Sequence, residues 1–536
     1  MKNTDEVENY SENRWIPASA LFVALYFMYA STFLTDYVMN DEWAHLGSHI
    51  KNLYLLILRF TIFNNRPLFG IANALVFEFV GFNLFRIQFI RFLNFLSLAG
   101  IALLLWYFLA RRSRRPWFSF FVILFLFSQR SILGLQGYSL VFFAEATPAI
   151  WLNFLAFFLY FFFFERHQIS SMWQMLIIFL LFLMAMLFNQ TYAFLAMIPL
   201  SYLSLTEWSH YKHRIFSFFG MAIAALIFAS IIFRLSVWFN PEPKFNTYPL
   251  AQQAFAALSS HPLDVLRRAL NPITYWNAFE LWTYPFPFHN TLPLLIKTRK
   301  TGAKIMMLLW GVLIADTIIL ELKEQPPAKR GETLRKWLVV AIAMGFGMMF
   351  VLLDSPTKII DHRPHMLLPL TGVIILTGAY AVQTLSARYK IFSNFLLNAL
   401  GALLVLYIAF GAQSDLERGI VATRHAQLEF IRTMLTSRPP ETFDKIIIVL
   451  PQETQICLSE PCDPWFGQIV QSRWHLQRHG IYHYIFVSEG IMPGSKEIIF
   501  IDQPLTDVPP DAVVIDWNRF VAARKNLKNY LRWLQK

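Results

Sequence analysis

About eleven apolar segments, each approaching the roughly 20 residues that carry a helix across a bilayer, recur between residues 16 and 412. They lie near 16–35, 86–110, 117–133, 147–164, 172–188, 191–206, 215–238, 302–321, 337–353, 365–385 and 392–412. With 56% of the chain hydrophobic and 15% charged, too little polar surface remains to cover such a mass in water. The chain therefore reads as a polytopic α-helical membrane protein. The stretch Trp173 to Leu205 is too long for one span, and the polar Asn189-Gln190-Thr191 divides it.

Lysine and arginine set the expected orientation. A formal charge of +12 points, in a membrane protein, to cytoplasmic loops and anionic lipid rather than to nucleic acid. An N-terminus in the cytoplasm puts Arg111-Arg112-Ser113-Arg114-Arg115, Glu165-Arg166-His167, Lys212 to Arg214, Lys323 to Lys336 and Arg388 to Lys390 on one side. The opposing loops, Gly134 to Thr147 and Asp354 to His365, carry only Lys358 and Arg363. This orientation requires the apolar but short Pro67 to Val80 to be re-entrant or interfacial. Met1 to Asn13 is polar and acidic and lacks a basic n-region, so the first apolar segment is expected to be a retained helix.

Two domains are expected: a transmembrane domain over 1–412, whose first outer loop spans 36–83, and a soluble extracytoplasmic α/β domain over 413–536. In the second, Lys445 to Leu450 and Glu497 to Ile501 read as buried strands, and Asp415 to Leu435 and Trp517 to Leu534 as helices. Cys457 and Cys462 are close enough in sequence for a local disulfide in an oxidising compartment, which spacing alone does not prove.

The chemistry-bearing residues gather in the outer loops. Asp41 and Glu42 follow the first span and precede an amphipathic run, Trp43 to Phe60. Carboxylates are costly beside hydrocarbon and are usually kept there for a task, although Asp41 also suits a helix N-cap. Asp41, His45 and His49 recur every four residues and share one helix face. The histidines could contact a metal or an acceptor, or simply form the wet face of an interfacial helix. Lys358, His362 and Arg363, with His365 beside them, make a cationic loop that suits a lipid-linked phosphate. Snorkelling toward headgroups, or an Asp361–Arg363 pair, would account for the same residues. Glu145 is the only charged residue in its loop and reads as an auxiliary carboxylate or a helix cap. No Gly-rich phosphate loop, H-E-x-x-H or nucleophile elbow is present. A reaction on the outer face would then need an activated donor already in the membrane.

Four matches, in order, resemble the GT-C superfamily of polytopic glycosyltransferases, which includes bacterial aminoarabinose transferases and protein mannosyltransferases. Asp41-Glu42-Trp43-Ala44-His45-Leu46 follows the first span. A short juxtamembrane helix opens with Arg66-Pro67-Leu68 and runs to Phe79-Val80-Gly81. A second span begins at Phe85-Arg86 and ends at Ala110-Arg111-Arg112, and Glu145 follows the third, where the family often has Asp. The matches cover about the first 150 residues; the rest agrees in architecture, including a terminal soluble domain.

The resemblance implies a GT-C-like fold in a plasma membrane, of the bacterial inner-membrane kind, with the C-terminal domain in the periplasm. It implies a polyprenyl-phosphate-linked sugar donor and a glycan, lipid or protein acceptor. Asp41 would act at the reaction centre with Glu42 as its neighbour, and Lys358, His362 and Arg363 would face the donor phosphate. A divalent cation is compatible with these residues but not required by them. A ligase or polymerase using a lipid-diphosphate-linked glycan, and a lipid or sugar transporter, are the alternative expectations.

Overall fold

A computed structural model describes residues 15–37, 42, 66–81, 83–137, 139–167, 171–189, 192, 194–238, 263, 267, 293–354, 368–389, 395–451, 456–457, 468–470, 482, 485, 489, 496–503 and 507–523. The helices in chain order are α1 (Trp15–Leu34), α2 (Pro67–Val80), α3 (Leu84–Ser113), α4 (Pro116–Phe127), α5 (Arg130–Gly137), α6 (Ser139–Phe158) and α7 (Ser171–Phe188). Then come α8 (Met197–Thr206), α9 (Trp208–Trp238), α10 (Pro293–Glu324), α11 (Arg330–Asp354), α12 (Leu368–Tyr389), α13 (Phe395–Asp415) and α14 (Ala422–Leu435). Among the described residues six helices are long and apolar enough to cross a bilayer: α1, most of α3, Val141–Arg166, α7, Trp208–Ile232 and α12. The chain is thus a multi-pass helical membrane protein.

Local chemistry explains where these helices begin and end. Proline opens α2 at Pro67 and α4 at Pro116, where its missing N–H costs nothing. The Asn83 side chain accepts from the Arg86 backbone N–H at 3.2 Å and caps α3. Arg111 and Arg112 stand in the last turn of α3, where cations complement the helix dipole. Its chain direction then reverses through Arg114, a non-glycine residue at φ 53°.

Two expected boundaries differ. The segment expected to span 117–133 is the 12-residue α4, interrupted at Ser128-Gln129 and followed by the short α5. The loop expected over 134–147 is largely helical, because α6 starts at Ser139 and not near 147. Its sequence, Ser-Leu-Val-Phe-Phe-Ala-Glu-Ala-Thr, is apolar enough to extend the helix inward from its polar end. The break at Asn189 does separate α7 from α8, as the polar residues there suggest.

The main core fills the space between α1, α3, α4, α6, α8 and α9 with aromatic and aliphatic side chains. Helices also meet through glycine. A Cβ on Gly347 of α11 would stand 2.7 Å from the Leu370 backbone nitrogen, and one on Gly378 of α12 would overlap the Trp310 ring. Such close approach is how helices associate where lipid supplies no hydrophobic drive between them.

Beyond the bundle, α13 passes through residues 412 and 413 and continues by a π-helical turn, Leu416–Val421, into α14. The tail is therefore joined to the bundle by a helix. It holds strands β1 (Lys445–Val449), β2 (Ile456–Cys457), β3 (Gln468–Val470), β4 (Glu497–Ile501) and β5 (Ala512–Asp516). The main sheet has the order β4–β1–β5 and is parallel throughout, with Ile447 paired to Ile499 on one side and Val514 on the other. β1, the central strand, is buried along Ile446 to Val449, as expected of a strand covered on both faces. β2 pairs antiparallel with β3. Cys457 lies in β2, and Cys462 is outside the described residues. A second apolar core includes Phe69, Phe77 and Val80 of α2, Ile87 and Ile90 of α3, and Leu428, Ile446, Val513 and Trp517 of the tail.

Candidate functional site

At the end of α1 the chain reaches Asp36 and Tyr37, and a few residues later Glu42 is again described. Both Tyr37 and Glu42 are held by one residue of α3, Arg91. Its Nη2 donates to Glu42 Oε2 at 2.9 Å, and neither side chain has any exposure. The same guanidinium lies over the Tyr37 ring with its Cζ 3.6 Å from the centroid. The Tyr37 hydroxyl donates to the Gly137 carbonyl at 2.9 Å. A charge this deep in a bundle persists only when paired, and here a carboxylate and a π-face share it.

A ladder of amides and hydroxyls supports Arg91. Gln136 Nε2 donates to the Arg91 carbonyl at 3.2 Å and to Thr32 Oγ1 at 2.9 Å. Asn94 Nδ2 donates to Gln136 Oε1 at 2.9 Å and accepts, at Oδ1, from the Thr147 hydroxyl at 2.7 Å. The ladder ties α1, α3, α5 and α6 together at one level. Polar groups in a low-dielectric bundle must be satisfied by one another, and a connected network of this kind fixes their geometry.

Asp36 faces the tail. Its backbone carbonyl accepts from His425 Nδ1 at 2.7 Å, and its Oδ2 lies 3.6 Å from Arg432 Nη2. Arg432 also donates from Nε to Glu489 Oε1 at 2.8 Å. Burial raises the Asp36 carboxyl above the usual aspartate range, and Arg91, Arg432 and His425 only partly oppose it. α14 is thereby pinned to the outlet of α1.

Glu145, on α6, is nearly buried and pairs with Arg66, the residue just before α2. Asn189 Nδ2, at the end of α7, donates to the same carboxylate oxygen at 2.8 Å. Glu145 is therefore not a helix cap: it clamps α2 against α6 and α7.

The two described site residues, Glu42 and Glu145, are thus each bound to a guanidinium at the same end of the bundle. Carboxylates so engaged hold shape and charge balance. Asp41, His45, His49, Lys358, His362 and Arg363 lie outside the described residues. Among the described residues no group of three or more His, Cys, Asp or Glu side chains gathers to hold a metal ion.

Sequence reasoning singled out Arg86 at the start of the second span. Arg86 is exposed and donates to the Phe79 carbonyl at 2.9 Å. The buried arginine of that span is Arg91, missed although an arginine inside an apolar span is itself a signal. Arg432 and His425 carried no local signal, and Asn189 was legible only as a break between spans. No protein-family model matches this chain, and no curated protein does either.

Proposed function

We propose that the chain is a GT-C-like glycosyltransferase that moves a sugar from a polyprenyl-phosphate donor to an acceptor hydroxyl at the outer face of the membrane. The observation that supports this most is Arg91, which grips Tyr37 and Glu42 on either side of residues 38–41. A buried guanidinium committed to both flanks of one four-residue segment suits a segment whose position matters. The segment ends in Asp41, a carboxylate with its neighbours Asp36 and Glu42 already engaged.

In this reading Asp41 takes the proton of the acceptor hydroxyl as its oxygen attacks the anomeric carbon. The bond from that carbon to the phosphate oxygen breaks, and the phosphate leaves with the bonding electron pair. A positioned base contributes about 10²–10⁴-fold. Lys358, His362 and Arg363 neutralise the charge that develops on the departing phosphate. A single displacement of this kind inverts the anomeric centre. Glu42 and Glu145 position the surrounding elements.

Purified protein given a panel of synthetic polyprenyl-phosphate sugars, with products followed by mass spectrometry, tests this. Transfer or donor hydrolysis is expected, and Asp41→Asn should abolish it while the protein stays folded. Turnover retained in Asp41→Asn refutes the role given to Asp41. Failure of the wild type to bind or turn over any monophosphate donor refutes the donor class.

A further inference from the structure

The other end of α3 carries a second constellation, independent of the transferase reading. Arg91 and Arg111 are twenty residues apart on one helix, about 30 Å at 1.5 Å per residue. There the structure has an open pocket of about 950 Å³. Arg111, Arg112 and Arg114 at the end of α3 line it, with Arg166 from the short helix Phe164–His167 and the aromatic wall of Phe158 and Phe162.

Three features make this more than a scatter of snorkelling side chains. First, the wall is built by an irregularity. α6 widens into a π-helical turn at Leu159–Phe163, and residues of that turn face the pocket. Such turns are uncommon and are frequently found at functional sites. Second, one arginine is fixed in place. The Arg112 guanidinium lies between Phe108 and Phe162, 4.2 and 4.9 Å from their centroids, with its Nε 2.9 Å from Glu207 Oε1. Third, the charge is unbalanced. Glu207 is committed to Arg112, and Glu165 to Tyr211 and His210 at 2.8 Å and to Arg214 at 3.6 Å. Among the described residues no carboxylate pairs with Arg111 or Arg166.

We propose that this pocket binds a phosphate-bearing ligand, with the phosphate on Arg111 and Arg166 and any apolar tail against Phe158 and Phe162. Guanidinium forks match phosphate oxygens in geometry as well as charge, and basic pockets between membrane helices hold anionic headgroups. The phosphate can arrive on an anionic glycerophospholipid or free in solution.

Native mass spectrometry of the full chain in detergent, with equal phosphatidylglycerol and phosphatidylcholine, tests the site and its source. Preferential retention of phosphatidylglycerol is expected, falling about tenfold or more in R111Q/R166Q, the scale of losing a charge-assisted hydrogen bond. A parallel arm adds millimolar inorganic phosphate. Phosphatidylglycerol that stays bound assigns the site to lipid, and phosphatidylglycerol that is displaced shows that the site takes phosphate from water. Both arginines are exposed, so the variant should assemble; R166Q alone serves if it does not. Equal retention of the two lipids by the wild type, or an undiminished preference in the variants, overturns the proposal.

Discussion

Arg91→Met is the most informative perturbation of the outer end of the bundle. It deletes the guanidinium that donates to Glu42, a carboxylate with no exposure, and one of the cations facing Asp36. At an effective dielectric of about 20, a pair 2.9 Å apart is worth about 6 kcal/mol of gross attraction. Desolvation of the two ions offsets much of that in the native protein. It is not recovered when one ion is left behind, so losing one partner costs about 3–5 kcal/mol. Loss of the desolvated contact with the Tyr37 ring, worth about 2 kcal/mol, places Arg91→Met toward the top of that range. Glu42→Gln should cost less, about 1.5–3 kcal/mol, because Arg91 keeps a polar partner, the Tyr37 ring and Asp36. The pair R91M/E42Q leaves no orphan charge and should lose less than the sum of the two single losses. Thermal unfolding midpoints in detergent, read by tryptophan fluorescence for all four proteins, give the cycle. A double variant that loses the sum of the two single losses refutes the view that the penalty lies in an uncompensated buried charge.

Asp36→Asn tests the contact between α1 and the tail. The folded-state pKa of Asp36 is raised, so the stability it contributes is full below the ordinary value of 3.8 and is lost as pH rises through the raised value. The asparagine variant should therefore lose that slope, measured as the unfolding midpoint between pH 3.5 and 7; an unchanged slope assigns the pH dependence to other groups. Gly347→Ala should destabilise by roughly 1–3 kcal/mol, because its Cβ meets the Leu370 backbone at 2.7 Å and α11 must part from α12. Gly401→Ala, with nothing within 4 Å, should be neutral or stabilise by up to about 1 kcal/mol in the same melting assay; equal losses in both variants would remove close packing as the cause.

Particular residues show what could be read in advance. The apolar runs announce their helices because a bilayer demands length and hydropathy together, and both are local properties. Lys445 to Leu450 and Glu497 to Ile501 are legible as strands for a similar reason, and they are neighbours in the sheet. β5 went unread although Ala512-Val513-Val514-Ile515, after Pro509-Pro510-Asp511, carries the same signal. Glu145 stands out as a lone carboxylate, yet its partner Arg66 is 79 positions away and no local pattern links them.

The sequence by itself determined that this chain lives in a bilayer, roughly where most of its helices fall, and that a polar tail with buried-strand runs follows them. Those facts depend on composition and short-range periodicity. Only the tertiary structure decided which charges pair, that Arg91 and not Arg86 is the buried guanidinium of α3, and that α14 docks on the outlet of α1. Ion pairs inside a low-dielectric bundle are chosen by distance in space, and residues such as Asp36 and Arg432 come within reach only once the helices between them have packed.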